Sequence, residues 1–360
     1  MRRRKILFAI VAWVAATIVS GGALLAIDVY LHARLQRYSA LNVWGYRGPT
    51  VGRKRPGELR IAVLGGSAAF GYGIEWNQAI PAMLQRALET KRQAAGEGPV
   101  TVVNLAYNNE GAHSFKFTLQ DYAYLDYDLV SLYSGYNDLI LDPDANLSVY
   151  RHDSPVFRAC GYMPILPVFL REKASSWVYG DIAVGYREVD GKRITAFRPG
   201  IVKAATAGAF RAAEAVASSL DRQFGRLAAE SRPTAAIASQ ASPSSSSGPA
   251  SGCPYPWANY CRGLFDAVDY TLARGKRVLV VTEPYLPGAA RSLHVYQQRV
   301  MAEALERTYF ANSRVKYVNL GAAVDLADPA VGYDKMHLTQ GGSAIVARRL
   351  ADPVMELARQ

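Results

Sequence analysis

Two segments near opposite ends of the chain carry residues suited to nucleophilic chemistry. Ser67 stands in Leu64-Gly65-Gly66-Ser67-Ala68-Ala69-Phe70-Gly71, directly after a short β-forming run. A serine between small residues at that point sits on a tight turn at the carboxyl end of a strand, where open α/β folds bind ligands. A hydroxyl barely ionises at neutral pH, so it needs a base. The segment Gly332-Tyr333-Asp334-Lys335-Met336-His337-Leu338-Thr339 offers one. Three-residue spacing on a helical turn brings Asp334 and His337 to the same side. The carboxylate can then fix the imidazole tautomer and stabilise its charged form.

Other readings of these segments stay open. A Gly-Gly-Ser turn can cradle a phosphate at a helix N-terminus. It is no Walker loop, since no Gly-Lys-Ser/Thr follows, and no Gly-x-Gly-x-x-Gly is present. Glu110 and His113 form a rival acid–histidine pair at the same spacing, whereas His32, His152 and His294 read as solvated or packed. Two further segments could serve an oxyanion. Gly111 follows the run ending at Asn104, and Asn137 lies in Gly135-Tyr136-Asn137-Asp138. A glycine N–H and an Asn amide at neighbouring strand ends can donate to developing negative charge, although Gly-x-Asn-Asp is also an ordinary turn. Glu283, in Thr282-Glu283-Pro284, reads either as a substrate contact or as a cap or ion-pair partner.

Five β-branched runs position these residues: Arg60–Leu64, Val100–Asn104, Leu129–Tyr133, Arg277–Thr282 and Val315–Asn319. They lack clean alternation, as buried parallel strands do. Helical patterns fall at Ile80–Arg92, Arg262–Arg274, His294–Phe310 and Gly342–Leu357, the last with Pro353 as an expected kink. Strands alternating with helices imply βαβ crossovers and a three-layer α/β/α sandwich. The stretch 139–260 is too long for one crossover and reads as an insertion. It contains an Ala-rich helix near Lys203–Leu227 and a Ser/Ala/Pro segment, about 228–252, expected to be a flexible loop.

The chain carries a net charge of +11, which at first suggests nucleic acid. Its distribution argues against that partner. Residues 1–60 hold eleven Lys and Arg against Asp28 and Glu58, and the rest is nearly balanced. The excess flanks Ile6 to Ile27, a run without charged side chains. At about 1.5 Å per residue this run spans roughly 33 Å, enough to cross a hydrocarbon core. It is longer than the apolar part of a cleaved signal peptide, the rival reading. An uncleaved single-pass anchor follows, with the body extracytoplasmic by the positive-inside rule. The basic excess around the run suits anionic head groups, while Arg34, Arg37 and Arg47, close after it, make the charge asymmetry across it modest. Cys160, Cys253 and Cys261 form no CxxC pair, so a zinc knuckle is not expected, and two of them could pair.

Taken together and in order, the Gly-x-Ser block, Gly111, the Gly-x-Asn-Asp block and the Asp-x-x-His block resemble the SGNH, or GDSL-type, serine hydrolases. Gly66 departs from that family's usual Gly-Asp-Ser. The resemblance covers roughly residues 60–140 and 276–350. It implies a flavodoxin-like five-stranded parallel sheet and ester hydrolysis through an acyl-enzyme, with no cofactor or metal. Ser67 would attack, His337 would shuttle the proton, and Asp334 would orient it. Ser67, Gly111 and Asn137 would hold the oxyanion. The expected organisation is an anchor at 1–32, a basic linker at 33–59 and a hydrolase domain at 60–360. The expected substrate is an ester-bearing glycan or lipid of the envelope. An O-acyltransferase would use the same triad, and a non-catalytic glycan-binding module could use the same fold.

Overall fold

A computed structural model describes residues 2–35, 41–108, 110–139, 154–179, 188–189, 192–193, 253 and 256–360. The sheet strands are β1 (Leu59–Gly65), β2 (Val100–Asn104), β3 (Leu129–Ser134), β4 (Arg277–Thr282) and β5 (Val315–Asn319). The helices are α1 (Arg2–Leu35), α2 (Ser67–Phe70), α3 (Ile80–Ala94), α4 (Ala112–Asp121), α5 (Pro155–Cys160), α6 (Leu166–Tyr179), α7 (Ala258–Leu272), α8 (Arg291–Tyr309) and α9 (Gln340–Arg359). Two-residue strands at Glu188–Val189 and Lys192–Arg193 pair with each other. The helix expected near Lys203–Leu227 and the Ser/Ala/Pro segment 228–252 lie outside the described residues, as does His152.

The chain divides into two compact units. One contains residues 1–35, 43–45 and 154–236, and the other 36–42, 46–153 and 237–360. The second unit is the expected α/β sandwich. All four strand pairings are parallel, in the order β2-β1-β3-β4-β5. That is the flavodoxin-like order, and its direction reverses between β1 and β3, where α/β sheets place their ligands. Every residue of β1 and β3 is buried, as central strands covered on both faces must be. Helix α4 packs against α7 and α3 against α9, the pairing expected if right-handed crossovers place the two pairs on opposite faces of the sheet. Pro353 is accommodated inside α9.

At the start of β1, Arg60 is buried against Glu58 at 2.9 Å and donates to the carbonyl of Leu125. The edge strand β2 is shielded, because the Val102 N–H is taken by the Gln85 side chain at 3.0 Å.

In the first unit, α1 runs for 34 residues, about 51 Å at 1.5 Å each. Ile6, Leu7, Phe8, Val11 and Trp13 are each more than half exposed. Among the described residues α1 alone is long and apolar enough to cross a membrane. Its last turns behave differently, since Asp28, Leu31 and His32 are buried. Asp28 accepts hydrogen bonds from the N–H groups of Ile165 and Leu166 at 2.9 and 2.5 Å, and from the Tyr162 hydroxyl. The carboxylate thus caps the start of α6, where a helix leaves N–H groups unpaired. His32 bonds the Met163 carbonyl at 2.8 Å.

Candidate active site

Ser67 begins α2, the single helical turn that follows β1. The turn is tight because small residues line it. A Cβ on Gly65 would meet the Tyr133 carbonyl at 2.6 Å, and one on Gly66 would meet the Asn137 amide nitrogen at 2.1 Å. Gly66 lets the Asn137 amide lie against the Ser67 turn, and a Cβ there would make that amide shift.

His337 reaches Ser67 from the loop before α9. Its Nε2 lies 2.8 Å from Ser67 Oγ, and its Nδ1 lies 2.6 Å from Asp334 Oδ2. The three side chains form one chain of hydrogen bonds, with His337 14% exposed and Asp334 40%, so the relay opens to solvent.

The Asp-x-x-His segment is not the helical turn that its spacing suggested. Lys335 has a left-handed backbone, φ 67°, which breaks helical continuation. Asp334 Oδ1 instead accepts the N–H groups of Met336 and His337 at 3.0 and 2.7 Å. The carboxylate closes the turn with one oxygen and holds the imidazole with the other. A bridge between Gly332 and Leu338 ties the ends of the loop. Thr339 then caps α9 through the Gly342 N–H. Burial pushes the Asp334 carboxyl upward, but the His337 N–H, the imidazole and the Met336 N–H outweigh it and leave it below the ordinary carboxylate range.

Asn137 and Gly111 meet on the other side of the Ser67 turn. Asn137 Nδ2 donates to the Glu110 carbonyl at 2.9 Å. Gly111 is the N-cap of α4, and the Ala112 N–H beside it donates to Asp138 at 3.1 Å. Asp138 is half-buried, and desolvation pushes its carboxyl up to about 7 despite the Ala112 bond.

The Gly135–Asp138 turn is held from beneath. Glu283 accepts the Tyr136 N–H, Gln297 donates to the Gly135 carbonyl at 3.2 Å, and the Tyr136 hydroxyl donates to the Pro284 carbonyl at 2.7 Å. Glu283 is thus a buried support and not a substrate contact. Burial, with the nearby Asp138, raises it to about 8, and the Tyr136 N–H pulls the other way. His294 is buried too, its Nδ1 accepting the Leu286 N–H at 3.2 Å, and burial lowers it to about 4. In the rival pair, the Glu110 carboxylate accepts from the hydroxyls of Ser114 and Thr118 at 3.0 and 2.5 Å. It serves α4.

Several residues at the site had no signal in the sequence reading. Tyr72 and Tyr333, both about half exposed, flank the His337 ring at 5.0 and 5.9 Å between centroids. The Tyr333 hydroxyl donates to the Tyr72 carbonyl at 2.9 Å. Arg47, one of the basic residues that follow the apolar run, is 2% exposed and lies inside the second unit beneath α2. Cys253 and Cys261 form a disulfide, and Cys160 is an exposed free thiol.

No protein-family model matches the chain, and no curated protein matches it. Several solved structures do. A member of the lipolytic protein G-D-S-L family from Veillonella parvula is 10% identical, with a TM-score of 0.40, over 82% of this chain and 97% of its own. A catalytic mutant of an acetylxylan esterase from Geobacillus stearothermophilus is 14% identical, with a TM-score of 0.40, over 82% and 93%. An alpha/beta hydrolase enzyme from the metagenome of Lake Arreo is 13% identical, with a TM-score of 0.37, over 83% and 96%. The chain is similar to these proteins at that level, and the chemistry of its site rests on its own residues.

Proposed function

We propose that the chain is a membrane-anchored serine esterase that hydrolyses carboxylic esters through an acyl-enzyme. The observation that carries this reading is the continuous hydrogen-bond chain Ser67 Oγ–His337 Nε2, His337 Nδ1–Asp334 Oδ2. Ser67 Oγ attacks the ester carbonyl carbon while its proton passes to His337 Nε2. Asp334 holds the Nδ1 proton and stabilises the imidazolium. The carbonyl oxygen becomes an oxyanion, met by the N–H groups of Ser67 and Gly111 and by the side-chain amide of Asn137. Collapse of this intermediate breaks the bond to the alcohol oxygen, which takes the proton from His337. Water then attacks the acyl carbon with His337 as base. The acid leaves, and Ser67 regains its proton.

In this reading residues 1–32 anchor the chain, 33–59 lead into the hydrolase, and 60–360 carry it, with Tyr46 and Arg47 already part of its body. The exposed apolar length of α1 supports the anchor. The Cys253–Cys261 disulfide supports an oxidising, extracytoplasmic location for the body. The substrates are O-acyl groups on envelope glycans or lipids, and the exposed rings of Tyr72 and Tyr333 suit either a sugar face or an acyl chain. The test is release of p-nitrophenol from p-nitrophenyl acetate by the detergent-solubilised full chain. Turnover that vanishes in Ser67→Ala supports the proposal, and equal turnover in both proteins contradicts it.

A further inference from the structure

We infer that Arg47 is a positioning residue for the nucleophile, holding the loop after Ser67 so that the serine stays within reach of His337. This rests on the assignment of Ser67 as nucleophile. The guanidinium donates to the carbonyls of Phe70 and Gly71, each at 2.6 Å, and to that of Ile74 at 2.5 Å. It also lies over the Phe70 ring at 4.3 Å. Phe70 is the last residue of α2 and Gly71 is its C-cap, so the cation sits at the end of that turn, where carbonyls are left without helical partners.

The loop is shaped for this contact. Gly71 and Gly73 have φ of 84° and 80°, left-handed values that turn successive carbonyls toward one centre. A Cβ on Gly71 would also meet the Ala79 Cβ at 2.5 Å and crowd the guanidinium at 3.2 Å. Asn104 adds a bond from Nδ2 to the Phe70 carbonyl at 3.2 Å, and the Arg47 N–H donates to the Asn104 carbonyl at 3.1 Å. Arg47 is therefore locked to the end of β2 and to the loop at once.

The far side of the same loop is held by the catalytic partner. Tyr333, the residue before Asp334, donates to the Tyr72 carbonyl, and a Cβ on Gly73 would collide with its hydroxyl. Residues 70–74 are thus clamped between Arg47 on the inside and the Asp334–His337 loop on the outside. Together with the Ser67–His337 bond, these contacts close a ring. Arg47 reaches the three carbonyls from two nitrogens held in a fixed plane, a spread that the single nitrogen of a lysine does not reproduce, so a lysine is not equivalent here. Burial lowers Arg47 to about 10, so it remains charged at neutral pH, and the three carbonyls supply the hydrogen bonds that desolvation removed.

The test compares Arg47→Gln, Arg47→Ala and Arg47→Lys with the wild-type full chain and with the exposed control Arg86→Ala. Rates of p-nitrophenyl acetate turnover and of Ser67 labelling by a fluorophosphonate are measured beside amide hydrogen exchange of residues 68–75. A small displacement of a reacting group costs on the order of 10²-fold in rate. The expected result is a loss of about that size in kcat for Arg47→Gln and Arg47→Ala, with KM little changed and faster exchange confined to 68–75. Arg47→Lys recovers only part, and methylguanidinium added to Arg47→Ala restores part of both rate and protection. If Arg47→Ala does not fold, Arg47→Gln carries the comparison. Unchanged exchange and unchanged kcat in folded Arg47→Gln overturn the proposal. If the wild type itself neither labels nor turns over ester, the esterase reading fails, while the exchange measurement still decides whether Arg47 holds the loop.

Discussion

His337 Nε2 lies 2.8 Å from Ser67 Oγ although 270 positions separate the two residues. The pairing brings the C-terminal end of β1 to the loop before α9, and the imidazole is fixed in turn by Asp334 at 2.6 Å. Everything else at the site holds these groups or faces them.

Asp334 has two tasks, and Asp334→Asn separates them. An Asn side-chain oxygen can still accept the N–H groups of Met336 and His337, so the turn should persist. The amide cannot stabilise the imidazolium and favours the wrong tautomer, which typically costs about 10⁴ in kcat. Near-native melting with a severe rate loss is expected. Glu110→Gln should show the reverse pattern, reduced stability with kcat largely kept, because Glu110 bonds Ser114 and Thr118. Steady-state kinetics and thermal melts of both variants check this, and a severe kcat loss in Glu110→Gln alone would restore the rival pair.

Asn137→Ala removes one of the proposed oxyanion donors and should lower kcat by about 10²–10³. Gly66→Ala should act through the same group, since a Cβ there would overlap the Asn137 amide. The double variant should then be little worse than Asn137→Ala alone. Multiplied effects would show that Gly66 acts by another route.

Two desolvated carboxyls give stability a defined pH dependence. Glu283, at about 8, and Asp138, at about 7, keep protons in the folded state that the unfolded chain loses near its ordinary carboxylate values. The folded chain then binds more protons, so stability falls as pH rises through that window. His294, at about 4, works the opposite way between its ordinary 6.5 and 4. Above pH 6.5 only the carboxyls act, and the melting temperature should decline from there to pH 8. Glu283→Gln should flatten the decline. A melting temperature that rises over that interval in the wild type would contradict the assignment.

The fold was largely legible because its information is local. Buried parallel strands are continuous β-branched runs, and all five matched the sheet within one or two residues at their ends. The contact of Ser67, His337 and Asp334 was legible because these residue types at this spacing admit few roles. Arg47 was not, because its partners are carbonyls 23 to 27 positions later, and a carbonyl has no identity in sequence. The Asp334–His337 turn was misread as helical because the left-handed backbone at Lys335 leaves no mark on residue type. Glu283 and His294 looked ambiguous for a similar reason, since burial depends on the neighbouring helix and not on adjacent residues.

The anchor predicts that the full-length chain remains in the membrane fraction through a carbonate wash, and that protease added to spheroplasts degrades the body. A soluble mature protein beginning after about Ala23 would show instead that the apolar helix is a cleaved signal. Asp28→Ala should weaken the docking of α1 on α6, since three donors lose their shared acceptor, and limited proteolysis near residue 165 should then speed up.

The most direct test of the central claim is intact-mass analysis of the folded full chain after exposure to a fluorophosphonate. A single adduct mapping to Ser67 is expected in the wild type. None is expected in Ser67→Ala, and labelling should be slower by orders of magnitude in His337→Ala, because the hydroxyl has lost its base. A folded wild type that takes no label, or an adduct that persists in Ser67→Ala, would contradict the assignment of Ser67 as the nucleophile.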